Sequence, residues 1–277
     1  HKEYRRQRQM CIRDRPSQKY LDYLRRDRAR RRNIRLAQAL LLVVFLCAWE
    51  ILPRMHILNP LLTSYPSALW PTFIDLWANG NLAHHILTTL SATLVGFTLS
   101  MVIGIVVAAA LWWSDFLYKV LDPFLVVANA MPKIAFVPIF YLWLGSDYAV
   151  YGMAVAIAVF VTIMVVYAGF RGIDLNKVKL ARTFGASRWQ VLVKVVLPGS
   201  VPTLIAAVKM NIGLALVGVI VGEFQSADSG LGFLIMNGSQ VFKLNIVMTA
   251  ITMLALISSV MYLVVYRIEA AVARRYG

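Results

Sequence analysis

Cysteine and acidic charge are the scarcest resources of this 277-residue chain. Its two cysteines are Cys11, in a basic N-terminal stretch, and Cys47, inside an apolar run. That placement offers no disulfide framework. Asp and Glu number 13 against 28 Lys and Arg. Such an imbalance can mark a nucleic-acid surface, but no basic groove interleaved with aromatic residues accompanies it, so no nucleic-acid partner is expected. No Lys is followed by Ser or Thr, so the chain lacks a phosphate-binding P-loop. His84 and His85 are adjacent rather than at ligand spacing, so they read as interfacial residues and no metal site is expected. Internal repeats and low-complexity tracts are missing as well.

What the chain has in excess is apolar length. Hydrophobic residues make up 60% of it and the mean hydropathy is +0.68, above the 45–50% apolar share usual in soluble proteins. Six runs are long enough to cross about 30 Å of hydrocarbon as helices. They fall near Ile34–Leu52, Ile86–Trp113, Val120–Leu144, Tyr148–Phe170, Val195–Gly222 and Ile246–Tyr266. Fourteen of the 28 basic residues precede residue 36. The others lie largely in alternate loops: Lys119, then Arg171 through Lys194, then Arg267, Arg274 and Arg275 on one side, against Arg54 and Lys243 on the other. By the positive-inside rule both termini are expected in the cytoplasm.

Residues 1–33 are expected to be a basic cytoplasmic tail, disordered or partly foreign to the native chain, with 1–20 contributing nothing to the expected fold. Arg30-Arg31-Arg32 ahead of Leu36–Leu52 has the outline of a signal sequence. No small-residue cleavage site follows, so a retained first span is expected, opening a membrane domain over 34–277. On the outer side, Asn59-Pro60, Tyr65-Pro66 and Trp70-Pro71 interrupt any long helix, leaving a short interfacial helix near Ser67–Trp77. The second outer segment, Glu223–Lys243, carries Gly230, Gly232 and Gly238 and reads as turn-rich or re-entrant.

The basic segment 171–195, between the fourth and fifth spans, is patterned like a helix. Asp174 is a candidate N-cap. Leu175, Val178, Ala181, Phe184, Trp189 and Leu192 form an apolar stripe, with Lys177, Lys179, Arg182 and Arg188 on other faces. Gly185 interrupts the pattern where a bend or a close backbone approach would fall. By pattern alone this is either a helix lying on the membrane surface or a docking helix.

The spacing is more specific. Lys179-Leu180-Ala181 is followed after three residues by Gly185 and, nine residues later, by Val195-Val196-Leu197-Pro198. This resembles the loop signature of binding-protein-dependent ABC permeases: Glu-Ala-Ala, three residues, Gly, nine residues, Ile-x-Leu-Pro. Ala181, Gly185, Leu197 and Pro198 match in identity, while Lys179 replaces the acid and Leu180 an alanine. The stretch Ala181–Gln190 resembles the nitrate, sulfonate and taurine branch most, and the likeness covers roughly residues 40–275. The resemblance implies an all-α polytopic membrane protein with six transmembrane helices and a type I ABC importer permease fold. It also implies a homodimer, a coupling helix for two cytoplasmic ABC ATPase subunits, an extracellular or periplasmic substrate-binding protein, and residence in a bacterial inner membrane. Lys179, Ala181, Phe184, Gly185, Trp189, Leu197 and Pro198 would form the coupling loop. This subunit would hold no catalytic residues and no cofactor, with ATP and Mg in the partner ATPase. The cargo would be nitrate, a sulfonate, taurine, or a vitamin or pyrimidine precursor. The alternative is a secondary transporter or channel working without an ATPase, which would usually show paired broken helices in two repeats.

Ionisable groups inside a bilayer are functional candidates by default. Met131, Lys133, Lys209, Asn211 and Glu223 are the candidate translocation residues. Lys133, between Pro132 and Pro138, either attracts an anionic solute or pairs with a freed carbonyl. Glu223 either lines the pathway or touches the external binding protein. Glu50 reads as a boundary charge, and Gly96, Gly104, Gly213 and Gly218 as sites of close helix packing.

Overall fold

The computed structural model describes residues 18–276 apart from 56, 60–62 and 227. Cys11, Pro60 and the first 17 residues of the expected tail lie outside the described residues. The chain divides into two compact units, residues 1–67 and 68–277, and every element described is helical.

In the first unit, helix α1 (Gln18–Arg54) carries the first span and extends back through the stretch expected to be tail. Near its end the Glu50 carboxylate accepts the Ser67 hydroxyl at 2.7 Å and the Ser67 backbone N–H at 3.0 Å. Arg54 pairs with the same carboxylate at 2.7 Å and lies over the Tyr65 ring. The boundary charge is thus fully partnered.

From this boundary the chain continues as α2 (Pro66–Ala78), the expected short helix, and α3 (Leu82–Trp113). Next come α4 (Asp115–Ala130), a 3₁₀ turn over Lys133–Phe136, and α5 (Val137–Leu144). Then follow α6 (Ser146–Arg171) and α7 (Leu175–Thr183). A short helical piece at Arg188–Val191 and a π-helical turn at Leu192–Val196 lead through Leu197–Gly199 into α8 (Val201–Ser226). Helices α9 (Leu231–Gln240) and α10 (Leu244–Tyr276) complete the chain.

Among the described residues five helices are long and apolar enough to span a bilayer unbroken, and one bent pair passes the same test when its two halves are taken together, which would make six. That pair corrects the expectation of a continuous third span over Val120–Leu144. The helix breaks at Met131-Pro132 and its two halves are bent by 88°. The proline has no N–H to continue the ladder, and it pushes Met131 out of the helical region, to φ −64° and ψ 142°. The second outer segment, read as turn-rich or re-entrant, contains a bend over 228–230, with Gly230 at φ +115°, followed by the helix α9. Two of its glycines make close contacts. A Cβ on Gly238 would sit 3.0 Å from Val247, and one on Gly232 would sit 2.8 Å from Glu223.

Helices α3, α6 and α8 pack as the centre of the second unit. Lipid tails are as apolar as leucine, so helices in a bilayer associate through close van der Waals fit and small residues. Ala154 on α6 is the clearest case. A Cβ on Gly96 of α3 would run into its side chain, and one on Gly218 of α8 would sit 2.5 Å from its Cα. Gly104 meets Thr162 in the same way, whereas Gly213 faces open space. One core, with Leu111, Ile163, Phe170, Val191 and Val196 at its heart, fills the end nearest α7. Another, around Leu82, Leu231 and Ala250, joins α2, α3, α8, α9 and α10 at the opposite end.

Candidate coupling loop and buried polar clusters

The segment after α6 is built by local capping. Asp174 accepts the Asn176 N–H at 2.8 Å and opens α7. The C-terminal end is closed by a paired motif: Gly185 N–H donates to the Arg182 carbonyl at 2.9 Å and Ala186 N–H to the Ala181 carbonyl at 3.1 Å. This Schellman arrangement needs a left-handed residue at Gly185, whose φ is +80°. A Cβ there would meet nothing within 4 Å. The glycine is therefore required by backbone angle and not by crowding. Two residues later Ser187 and Gln190 form a reciprocal capping box that starts the next helical piece.

The apolar stripe read from the sequence divides in space. Val178, Ala181, Ala186 and Leu192 turn inward and pack on the core beneath. Leu175, Leu180, Phe184 and Trp189 point outward, Phe184 with 82% of its surface exposed. Helix α7 therefore has one apolar face anchored to its own bundle and a second left open. Lys177, Lys179, Arg182 and Arg188 surround it, all exposed. Val196 is buried, Leu197 packs against the same core, and Pro198 follows directly on the π-helical turn.

The candidate translocation residues are not gathered in one place. Met131 is exposed at the break in the third span. Lys133 donates from Nζ to the Asn129 carbonyl at 2.6 Å, a carbonyl released by that break, and its ammonium lies over the Phe160 ring. Lys209 pairs with Glu269 of α10 at 2.6 Å, beside the rings of Tyr262 and Tyr266.

Asn211 is 1% exposed and ties three helices together. Its Nδ2 donates to Thr162 Oγ1 on α6 at 2.8 Å, and its Oδ1 accepts from Ser100 Oγ on α3 at 3.0 Å. Glu223, also 1% exposed, holds the start of α9. One carboxylate oxygen accepts the Gly232 N–H at 2.8 Å, and the Thr89 hydroxyl donates to the carboxylate at 2.9 Å. Thr89 in turn accepts the Leu231 N–H at 2.8 Å, and His85 Nδ1 accepts the Gly230 N–H at 3.0 Å. Three free N–H groups at a helix start, with a carboxylate at its positive end, are satisfied at once.

Sequence reading missed the partners Thr89, Ser100, Thr162 and Glu269, and the role of His85. Two signals pointed to them. Ser and Thr inside apolar spans often bond across helices. Glu269 is the lone acid of the last helix.

Similarity to known proteins supports the same architecture. Residues 100–277 match the family model described as binding-protein-dependent transport system inner membrane component. The putative aliphatic sulfonates transport permease protein of Bacillus subtilis (strain 168) is 26% identical over 235 residues, covering 84% of this chain and 85% of that protein. The riboflavin transport system permease protein of Chloroflexus aurantiacus (strain ATCC 29366 / DSM 635 / J-10-fl) is 31% identical over 221 residues, covering 77% and 82%. An inward-facing methionine ABC transporter structure shares the fold, with a TM-score of 0.64 at 20% identity over 72% of this chain and 97% of that one. The chain thus belongs to the family of inner membrane components of binding-protein-dependent transport systems.

Proposed function

We propose that this chain is the permease subunit of an ATP-driven importer and that α7 is its coupling helix. The observation that carries the reading is the double-sided character of α7. Val178 and Ala181 fasten it to the bundle, while Leu175, Leu180, Phe184 and Trp189 stand exposed on a loop that also carries Lys179 and Arg182. An outward apolar cluster of this kind marks a protein or membrane contact, and the spacing from Lys179 to Pro198 favours a protein partner. A push on that outer face would reach α3, α6 and α8 through a packed core, because such cores move as units instead of deforming continuously.

In this reading two ABC ATPase subunits dock at segment 171–195 of a homodimer, with ATP and Mg bound in the ATPase and none in this subunit. Both termini face the cytoplasm of a bacterial cell, a binding protein delivers the cargo on the opposite face, and alternating access carries it through the subunit interface. The cargo proposed is a small anionic or polar solute. Relatives named for sulfonates and for riboflavin match most of the chain, which supports a reading in which the external binding protein largely chooses the solute.

The test is Phe184→Asp in the full chain, co-expressed with the ATPase of the same transport system. Membrane insertion should persist, while ATPase co-purification and uptake are lost. Full co-purification and uptake by the inserted variant would sink the assignment.

A further inference from the structure

Beneath α7 lies an open groove of about 810 Å³. Its wall holds Arg171, Lys179, Arg182 and Arg188, together with Trp112 and Trp113, and its one carboxylate is Asp115. Asp115 is already engaged, by Arg171 at 3.1 Å and Lys119 at 2.9 Å. Arg188 donates to the Trp113 carbonyl at 3.3 Å. Among the described residues no carboxylate lies within ion-pair reach of Lys179 or Arg182. The groove thus has a surplus of positive charge facing a space large enough for a charged headgroup.

A second cavity, of about 420 Å³, adjoins it and shares Leu111, Tyr167 and Arg171. It runs between α4 and α6, lined by Leu125, Ile163 and Met164, with Asp122 as its carboxylate. Polarity therefore changes along one continuous surface. Cations and tryptophans stand at the end of the spans; Tyr118, Asp122 and Tyr167 follow, and Leu111, Leu125, Ile163 and Met164 supply an apolar wall. A free phosphate ion would need only the first part. An anionic phospholipid would use both, its phosphate among the cations and an acyl chain along the apolar wall, with indole rings at headgroup depth.

We propose that this groove binds the headgroup of an anionic phospholipid, with Lys179 and Arg182 as its principal charge contacts. The proposal goes beyond the transport reading: the lipid takes the groove side of α7, and the outer apolar cluster around Leu180 and Phe184 is left to the ATPase. The full chain in nanodiscs of mixed dioleoyl phosphatidylglycerol and phosphatidylcholine would be examined by native mass spectrometry for retained lipid. The parent should retain phosphatidylglycerol preferentially. Lys179→Gln and Arg182→Gln should each lower retention about fivefold, and Lys177→Gln, which does not line the groove, should leave it unchanged. An equal loss in Lys177→Gln would overturn the site in favour of diffuse surface charge. Displacement of the lipid by excess inorganic phosphate would overturn the lipid in favour of a free anion. Full retention in the double variant, with loss of ATPase co-purification, would assign these cations to the protein partner instead. Loss of coupling with lipid retention unaffected in Phe184→Asp would separate the two readings.

Discussion

Replacing Asn211 with Ala tests whether the buried carboxamide holds helices together or serves the solute. The side chain makes two interhelical hydrogen bonds, to Ser100 and Thr162. In bilayers such bonds are worth about 0.6 kcal/mol each, so their loss costs about 1.2 kcal/mol. Neither hydroxyl is orphaned. Ser100 keeps the Phe97 carbonyl and Thr162 keeps the Ala158 carbonyl, each at 2.9 Å. The full penalty for an unsatisfied buried group therefore does not apply. The space vacated adds about 0.5–1 kcal/mol, for a total of about 2 kcal/mol. The assay is reversible unfolding in bicelles, with Thr162→Val and the double variant completing a cycle whose coupling should be about 0.6 kcal/mol. Transport should fall only as far as folded protein falls. A variant of parental stability that has lost uptake would refute the packing role and return Asn211 to the pathway.

Other positions separate equally cleanly. Gly218→Ala should destabilise by about 2 kcal/mol or more, because its Cβ meets Ala154 Cα at 2.5 Å. Gly213→Ala, with open space around it, should be neutral or gain up to about 1 kcal/mol in the same unfolding assay. Glu223→Ala strips the Gly232 N–H and the Thr89 hydroxyl of their carboxylate and should cost about 1–3 kcal/mol. Hydrogen exchange should then speed up first in α9, and uniform protection across that helix would count against the clamp. At Gly185 the strain comes from φ and not from volume, so Ala and Phe should impair ATPase docking similarly, by about 1 kcal/mol, while Asn should restore much of it. A graded loss following side-chain size would point to close approach of the partner instead.

The capping loop shows how much was legible. Asp174, Gly185 and the spacing to Leu197-Pro198 mark the loop because caps and left-handed turns restrict residue type locally. What the stripe could not reveal is its division, since Val178 and Phe184 are equally apolar and only the position of the core distinguishes them. The same holds for the polar residues of the spans. Asn211 stood out as costly in lipid, but its partners lie 49 and 111 residues away along the chain, and Glu223 meets Thr89 across 134. No local pattern encodes such pairings.

By itself, then, the amino-acid sequence determined the apolar stretches long enough to cross a membrane and the alternate loops in which basic residues gather. A hydrocarbon slab requires every backbone group to be satisfied within a helix, and it penalises charge wherever it falls. The tertiary structure alone decided that the third apolar stretch bends by 88° at Pro132, that Ala154 receives glycines from two helices, and that Glu223 clamps α9. These outcomes depend on which surfaces approach within van der Waals contact, a property of three-dimensional packing that residue order along one helix does not contain.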